Sequence, residues 1–540
     1  MKCWVNYLEK PKLGLIFYAT KIIKDEVNLI EKDNFASYYY FMKRNEFLKL
    51  SGVGMASTLI PAGLISLITT NSGCAKADHG SMLNTMNNVN AVTVIESDFL
   101  QLLPIPITVD NNGTLTAQIT NFSLKGGQVF NVLGYQANSI LGPTFRINAG
   151  AFCNIKFNNN LLEASNIHWH GLHVPAIMDG HPENIIPANS TFNYSFSISQ
   201  RAGLKWYHPH AHMSTGKQVY KGLAGLFIVN DAEETALNLP SGQFELPLVI
   251  QDKRLGDTTL TYQPTMVEVM SGLMGESILV NGKASPYHEV QSQMYRLRIL
   301  NGSNARIYNL AFSNNQSFTI IGNDGGLLTN PISIKSILIA PGERIDVLVD
   351  FSSFNTGEEL LLINKQFTGG GNAQGKQDFS ILKFKITKKV TVPFVIPNVL
   401  STIGLINKGL ITRTRVFDIS NGGMNIHTGG HTINNKMFDL KRTDEIVQAN
   451  AVEIWQFDNS QGTEPHPMHI HGIDFQILER IGGRNGLIPS ENGWKDTVLL
   501  MPGEVVKVIV SFGKNLGKYV LHCHNLEHED DGMMLQYQLS

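Results

Sequence analysis

From about Asp98 onward the chain runs in short stretches that alternate apolar and polar residues and break at Gly, Asn, Pro or Asp. A period of two gives each stretch one apolar face, so the pattern predicts strands that bury one side, with little helix. Three segments echo one another as a turn leading into an alternating strand: 147–157, with Asn148-Ala149-Gly150-Ala151-Phe152; 340–349, with Ala340-Pro341-Gly342-Glu343-Arg344; and 501–510, with Met501-Pro502-Gly503-Glu504-Val505. A second echo, strand to turn to strand, spans 153–171, 295–312 and 452–472. Its outer copies end in His168-Trp169-His170-Gly171 and His469-Ile470-His471-Gly472, whereas the middle copy ends in Tyr308-Asn309-Leu310-Ala311-Phe312. The expectation is an all-β chain of three related Greek-key β-sandwiches, with the chemistry in the outer two.

Length adds a leader to this picture. At 540 residues the chain exceeds one hydrophobic core and divides into about three domains. The expected limits are 1–90 for a leader with linker, then 91–240, 241–392 and 393–540 for the sandwiches. Lys43, Arg44 and Lys49 precede an apolar run from Val53 to Thr70, and Ser72 and Gly73 stand ahead of Cys74, which is the layout of an export signal. Arg44-Asn45-Glu46-Phe47-Leu48-Lys49 resembles a twin-arginine export motif, with Asn45 where the second arginine belongs. Cys74 is a candidate lipoprotein cysteine, although Asn71 stands where Leu is usual. An uncleaved anchor is the third reading, because the apolar run approaches bilayer length. All three place the body in the periplasm or cell envelope, and Met42 is a candidate start.

Composition removes several classes. Lys+Arg 43 against Asp+Glu 45 leaves a net charge of −2, so no basic excess points to nucleic acid or an acidic membrane surface. Cys3, Cys74, Cys153 and Cys523 are too few and too scattered for a disulfide framework, and Cys153 reads as a small buried apolar side chain. Gly-rich 368–376 has glycines at the spacing of a phosphate-binding loop, but Gln377 replaces the hydroxyl that would hold magnesium, so no nucleotide site follows.

Histidine placement carries the chemistry. The clusters are His168-Trp169-His170, His208-Pro209-His210, His466-Pro467-Met468-His469-Ile470-His471, and His522-Cys523-His524 with His528 and Met533. In a strand, residues i and i+2 share a face, so each His-x-His pair aims two imidazoles into one space. A single pair is weak evidence, but four pairs among 17 histidines are not a coincidence. Cys523, His466, His528 and Met533 form the thiolate, imidazole and thioether set of a blue-copper site, whereas zinc would want a closed tetrahedron without the Met. Strand alternation turns Cys523 to one side and His522 and His524 to the other, so one backbone step joins two metal environments. Such a link suits a multi-electron acceptor, and dioxygen fits.

In this order the motifs resemble those of the multicopper oxidases. Within that family the chain is most similar to bacterial periplasmic enzymes of the copper-efflux oxidase type and to laccase-like enzymes. The likeness rests on Trp206-Tyr207-His208-Pro209-His210-Ala211-His212, Gly222-Leu223-Ala224-Gly225-Leu226, Asn323-Asp324-Gly325-Gly326-Leu327-Leu328, Gly493-Trp494-Lys495-Asp496-Thr497-Val498 and Glu527-His528-Glu529-Asp530-Asp531-Gly532-Met533-Met534, and it covers roughly 134 to the C-terminus. It implies three cupredoxin-like domains and copper as cofactor: one type 1 ion on His466, Cys523, His528 and axial Met533, one type 2 ion on His168 and His469, and a type 3 pair on His170, His208, His210, His471, His522 and His524. It gives Asp179 and Glu529 the task of feeding protons to reduced oxygen, and makes Met534 a core residue. The implied reaction couples one-electron oxidation of phenols, aromatic amines or cuprous ion to reduction of dioxygen to water, in a monomer, with a role in copper tolerance.

Two departures bear on substrate. The copper-efflux type carries a long methionine-rich insertion over the type 1 site, whereas this chain offers only Met424, His427, His431 and Met437 there; Gly462 replaces the acid four residues before the third motif. Open-site oxidation of phenols therefore gains on cuprous oxidation. Met266, Met270 and Met274 recur every four residues and read as packing on a helix face, while His173, His181 and His212 read as second-line or surface groups. The competing readings are a structural or cell-division protein on the same sandwiches, and a copper storage protein without turnover.

Overall fold

The computed structural model describes residues 92, 94 and 98–540, apart from 257, 370–373 and 420–430. The leader, Met424, His427 and Gly370 lie outside the described residues. The alternating stretches become strands of three two-sheet sandwiches. Phe152–Asn159 alternates exposed and buried positions along its length, as the sequence pattern requires.

The first sandwich pairs a sheet ordered Gln128–Gly134, Thr114–Lys125, Phe152–Asn159, Ser190–Ser197 with one ordered Thr108–Val109, Thr144–Asn148, Gly225–Asn230, Gly203–Tyr207. Apolar side chains from both sheets, including Leu115, Phe157, Phe145 and Phe227, interdigitate between them. The third sandwich pairs Ile411–Asp418, Val452–Asn459, Glu504–Ser511, Phe475–Ile481 with Glu445–Val447, Met534–Leu539, Gly517–Cys523, His466–Ile470, Thr497–Leu500. The middle sandwich is larger, with sheets of seven and six strands. Gln101–Leu102, within the limits expected for the first sandwich, pairs instead with Pro286–Tyr287 of the middle one.

Strand Glu245–Lys253 departs from the half-buried pattern, because all nine of its residues are buried. Leu248 and Ile250 enter the middle core, whereas Val249 joins Leu204, Trp206 and Ile228 in an apolar layer shared with the first sandwich. A strand covered on both faces cannot leave its polar residues in water, so Glu245 and Asp252 are paired with Arg298 and Arg306.

A buried Asn closes each sandwich at the end of its central strand. The side-chain amides of Asn159, Asn301 and Asn459 donate to the carbonyls of Glu163, Arg306 and Glu464 respectively, tying the following turn to the sheet. No helix among the described residues is long and apolar enough to cross a membrane.

Candidate metal centre

Strand parity separates the ligands into two sets. Met468 and Ile470 fill the core of the third sandwich, and Cys523 lies in the same core. His466 shares the parity of Met468 and therefore points inward, while His469 and His471 point out. Cys523 pairs with Met468, and His522 with His469, so the same division holds on the neighbouring strand. In the first sandwich Trp169 is the core residue, and His168 and His170 face away from it.

The inward set is compact. Cys523 Sγ lies 3.5 Å from His466 Nδ1 and 3.7 Å from His528 Nδ1, and the two nitrogens are 3.2 Å apart. Met533 is fully buried in the same core, and its carbonyl accepts from Cys523 N. Met534, one residue on, packs on the other face with Phe438 and Val520.

The outward histidines of both sandwiches converge in one space. The Nε2 atoms of His168 and His469 are 3.4 Å apart, and those of His210 and His471 lie 3.2 and 3.1 Å from His522 Nε2. Carbonyls, which can only accept, fix several tautomers: His168, His469, His208 and His522 donate from Nδ1 to the carbonyls of Asp179, Asp496, Pro209 and Cys523. Each is left with Nε2 as a free donor to a cation. His170 is reversed, with Nε2 held by Asp496 Oδ1 at 3.1 Å and Nδ1 free.

These residues fit a metal. Nδ1 of His170, Nε2 of His208 and both ring nitrogens of His524 are buried without a hydrogen-bond partner, a costly arrangement unless a cation takes the lone pairs. Burial depresses His208, His466 and His469 to about 3 and holds His168, His170, His210, His471, His524 and His528 well below their usual value. The rings are thus neutral, the form that binds a metal. Imidazoles with one buried thiol and a thioether suit copper.

Asp179 and Glu529 come to the same triad from opposite sides. Asp179 Oδ2 is 2.7 Å from His471 Nδ1, and the Glu529 oxygens lie 3.4 Å from His210 Nδ1 and 3.1 Å from His522 Nδ1. Burial raises the Asp179 carboxyl well above the usual range.

The remaining residues named by the motifs fare unevenly. Cys153 is fully buried, and burial pushes its thiol up to about 12, in keeping with a packing role. His181 is buried, accepting from Glu183 N, while His173 is half-buried with Nε2 3.4 Å from Asp474, and His212 lies edge-on to Phe438. The methionine stripe is not a packed helix face: the helix spans only Met266–Ser271, Met266 is 70% exposed, and Met274 lies beyond Gly272, whose positive φ ends the helix. Nor is His528 open to solvent. His528 is fully buried, with Nε2 bonded to Met270 O at 3.0 Å and His431 stacked on its ring at 4.0 Å. Asp496, Thr497 and Arg344 are residues of the site to which the sequence motifs assign no role. Asp496 holds His170, and Thr497 Oγ1 lies 3.2 Å from His170 Nε2 and 3.3 Å from His469 Nδ1.

Comparison with known proteins agrees with this geometry. Family models described as multicopper oxidase match residues 116–234, 256–374 and 411–540. The chain is 37% identical over 441 residues to multicopper oxidase mco of Staphylococcus epidermidis, covering 80% of this chain and 90% of that protein. It is 33% identical over 405 residues to a laccase of Bacillus subtilis, covering 68% and 78%. The solved structure of McoA multicopper oxidase from Aquifex aeolicus is 35% identical, with a TM-score of 0.75 over 82% of this chain and 99% of that one. With both donor sets complete and these likenesses spanning all three sandwiches, the chain belongs to the multicopper oxidases.

Proposed function

We propose that the inward set, His466, Cys523, His528 and Met533, holds type 1 copper. His168 and His469 hold type 2, and His170, His208, His210, His471, His522 and His524 hold the type 3 pair. The protein is a copper-dependent oxidase of phenols or metal ions with dioxygen as acceptor. Bound copper supplies one-electron redox steps at the first position and the reduction of dioxygen to water at the second. One observation carries this reading: Cys523 stands in one donor set and its two chain neighbours in the other, so a single strand joins them.

The protein's own groups do the rest. Asp179 and Glu529 are buried behind ligand imidazoles, where they orient the rings and stand ready to deliver protons to reduced oxygen. The helix Met266–Ser271 and the buried ring of His431 cover His528, which favours small donors such as cuprous ion over bulky phenols in direct contact. The sandwiches take the limits 91–240, 241–392 and 393–540, with Gln101–Leu102 lent to the middle one as an edge strand, and the leader directs the protein to the cell envelope, where it acts as a monomer in copper tolerance.

The test is the copper-loaded protein. Its blue thiolate-to-copper absorption bleaches on adding cuprous ion or a phenol under argon and recovers in air, with oxygen uptake and no accumulating peroxide. Peroxide as the main product overturns the four-electron reading, and absorption that never recovers favours storage.

A further inference from the structure

The middle sandwich holds no proposed copper ligand, yet one of its side chains reaches the centre of the site. Arg344 is fully buried and follows Pro341-Gly342-Glu343, at the position that Phe152 and Val505 occupy in the other two copies of that segment. All five of its N–H groups have acceptors, drawn from all three sandwiches. Nε donates to Leu204 O of the first, at 3.0 Å. Nη1 and Nη2 donate to the carbonyls of Gly342 and Asp324 in the middle one, at 2.9 and 3.1 Å. The remaining two N–H groups grip both carboxylate oxygens of Asp496 in the third, Nη1 to Oδ1 at 2.7 Å. A planar fork meeting a carboxylate in this way fixes its orientation as well as its position.

Asp496 passes that orientation on. Its carboxylate can only accept, so it holds the N–H of His170 on Nε2 and leaves Nδ1 as the free donor; its own carbonyl takes the N–H of His469 and leaves Nε2 free. The two rings stack 3.7 Å apart and nearly parallel. There is no slack around this clamp. A Cβ on Gly171, at φ +84°, would fall 2.6 Å from Asp496 Oδ2 and 2.8 Å from Arg344 Nη2, and a Cβ on Gly342 would strike the His524 ring at 2.9 Å.

We infer that Arg344 is a positioning residue for the trinuclear site: by fixing Asp496 it aims His170 and His469, so the copper-free sandwich sets the geometry of a centre built by the other two. This rests on the copper assignment proposed above. The test uses the full chain loaded with copper, as Arg344→Lys and Asp496→Asn. Each variant is followed by the blue absorption of type 1 copper, the near-ultraviolet absorption of the type 3 pair, the electron paramagnetic resonance of type 2 copper, and bound copper per chain. Arg296→Met is the comparison, because it breaks a buried ion pair of the same sandwich that does not touch the cluster.

The expected result is an unchanged type 1 band with trinuclear copper affinity lowered about ten- to hundredfold, the range for groups that orient metal ligands. Arg296→Met should lose no trinuclear signal beyond its loss of type 1 signal. Full trinuclear signals in both Arg344→Lys and Asp496→Asn overturn the inference. So does parallel loss of all copper signals, which would make the pair a folding contact alone. Absence of both signals from the unmodified chain would instead overturn the copper assignment, so the two failures are distinguishable.

Discussion

The middle and third sandwiches place the same strand in the same surroundings and give it opposite tasks. Tyr308–Phe312 lies between Ser336–Ile339 and Glu359–Asn364, as His466–Ile470 lies between Thr497–Leu500 and Gly517–Cys523. In register, Leu310 faces Asn364 where Met468 faces Cys523, and Ala311 faces Ile363 where His469 faces His522. Asn364 is satisfied by the protein alone, accepting from Asn309 N and donating to Gln377 O. Cys523 meets two imidazole nitrogens and one backbone N–H, and its single thiol proton can serve only one of the two nitrogens. Topology supplies positions; the difference between scaffold and metal site is whether the protein satisfies the polar atoms it buries there or leaves them for an ion.

The sharpest way to break the comparison is to make the third strand resemble the middle one. Cys523→Ser should abolish the blue absorption and substrate-driven oxygen uptake while the type 2 and type 3 signals persist; retained oxygen uptake would show that Cys523 is not the link. The opposite perturbation removes a charge the middle sandwich satisfies. Arg296 and Arg298 share Glu234 and Asp346 on the buried face of their strand that turns away from the core formed by Leu297 and Ile299. Glu234→Ala strips three hydrogen bonds from buried guanidinium groups that then keep only Asp346 and Glu245, and should cost on the order of 3 kcal/mol of unfolding free energy in denaturant, with unaltered copper spectra in the folded protein. Burial alone would raise the Glu234 carboxyl, but Arg298 and Arg296 outweigh it and hold it down to about 2. A folded value below the unfolded one, about 4.3, means the stabilisation is full above that range and is lost as pH falls toward 2. Thermal unfolding of the unmodified chain should therefore weaken on acidification more than that of Glu234→Ala.

The two acids come next in size. Asp179→Asn and Glu529→Gln should each lower turnover about ten- to hundredfold with the type 1 spectrum intact, the range for groups that orient ligands. Equal losses with every reductant would place the effect at the oxygen end, and a loss confined to one reductant would move it to the substrate side.

What the sequence shows is local. His-x-His spacing and strand parity need only neighbouring residues, so the division of Cys523 from His522 and His524 is legible in the motif alone. The clamp is not, because its pieces lie 152 and 326 residues apart in the chain. Its traces are Arg344, where the sister segments carry Phe152 and Val505, and the charged Lys495-Asp496 ahead of the apolar strand Thr497–Leu500. The period of four in Met266, Met270 and Met274 misleads because Gly272 stops the helix before the third methionine. The cover of His528 by Met270 O and His431 is a tertiary contact, so both residues can be named from the chain but their meeting cannot.

The smallest effect separates two adjacent methionines. Met533 lies in the core with Cys523, and Met534 packs on the opposite face with Phe438 and Val520. Leu matches Met in volume, so either substitution should cost less than about 1.5 kcal/mol of stability. Their spectroscopic consequences should differ. Met533→Leu removes a weak thioether donor from the type 1 set, which disfavours the oxidised ion and raises the reduction potential while the blue colour remains. Met534→Leu leaves the potential where it was. A shift for Met534→Leu and none for Met533→Leu would reverse the assignment. Equal shifts for both would mean that packing around Cys523, rather than the thioether, sets the potential.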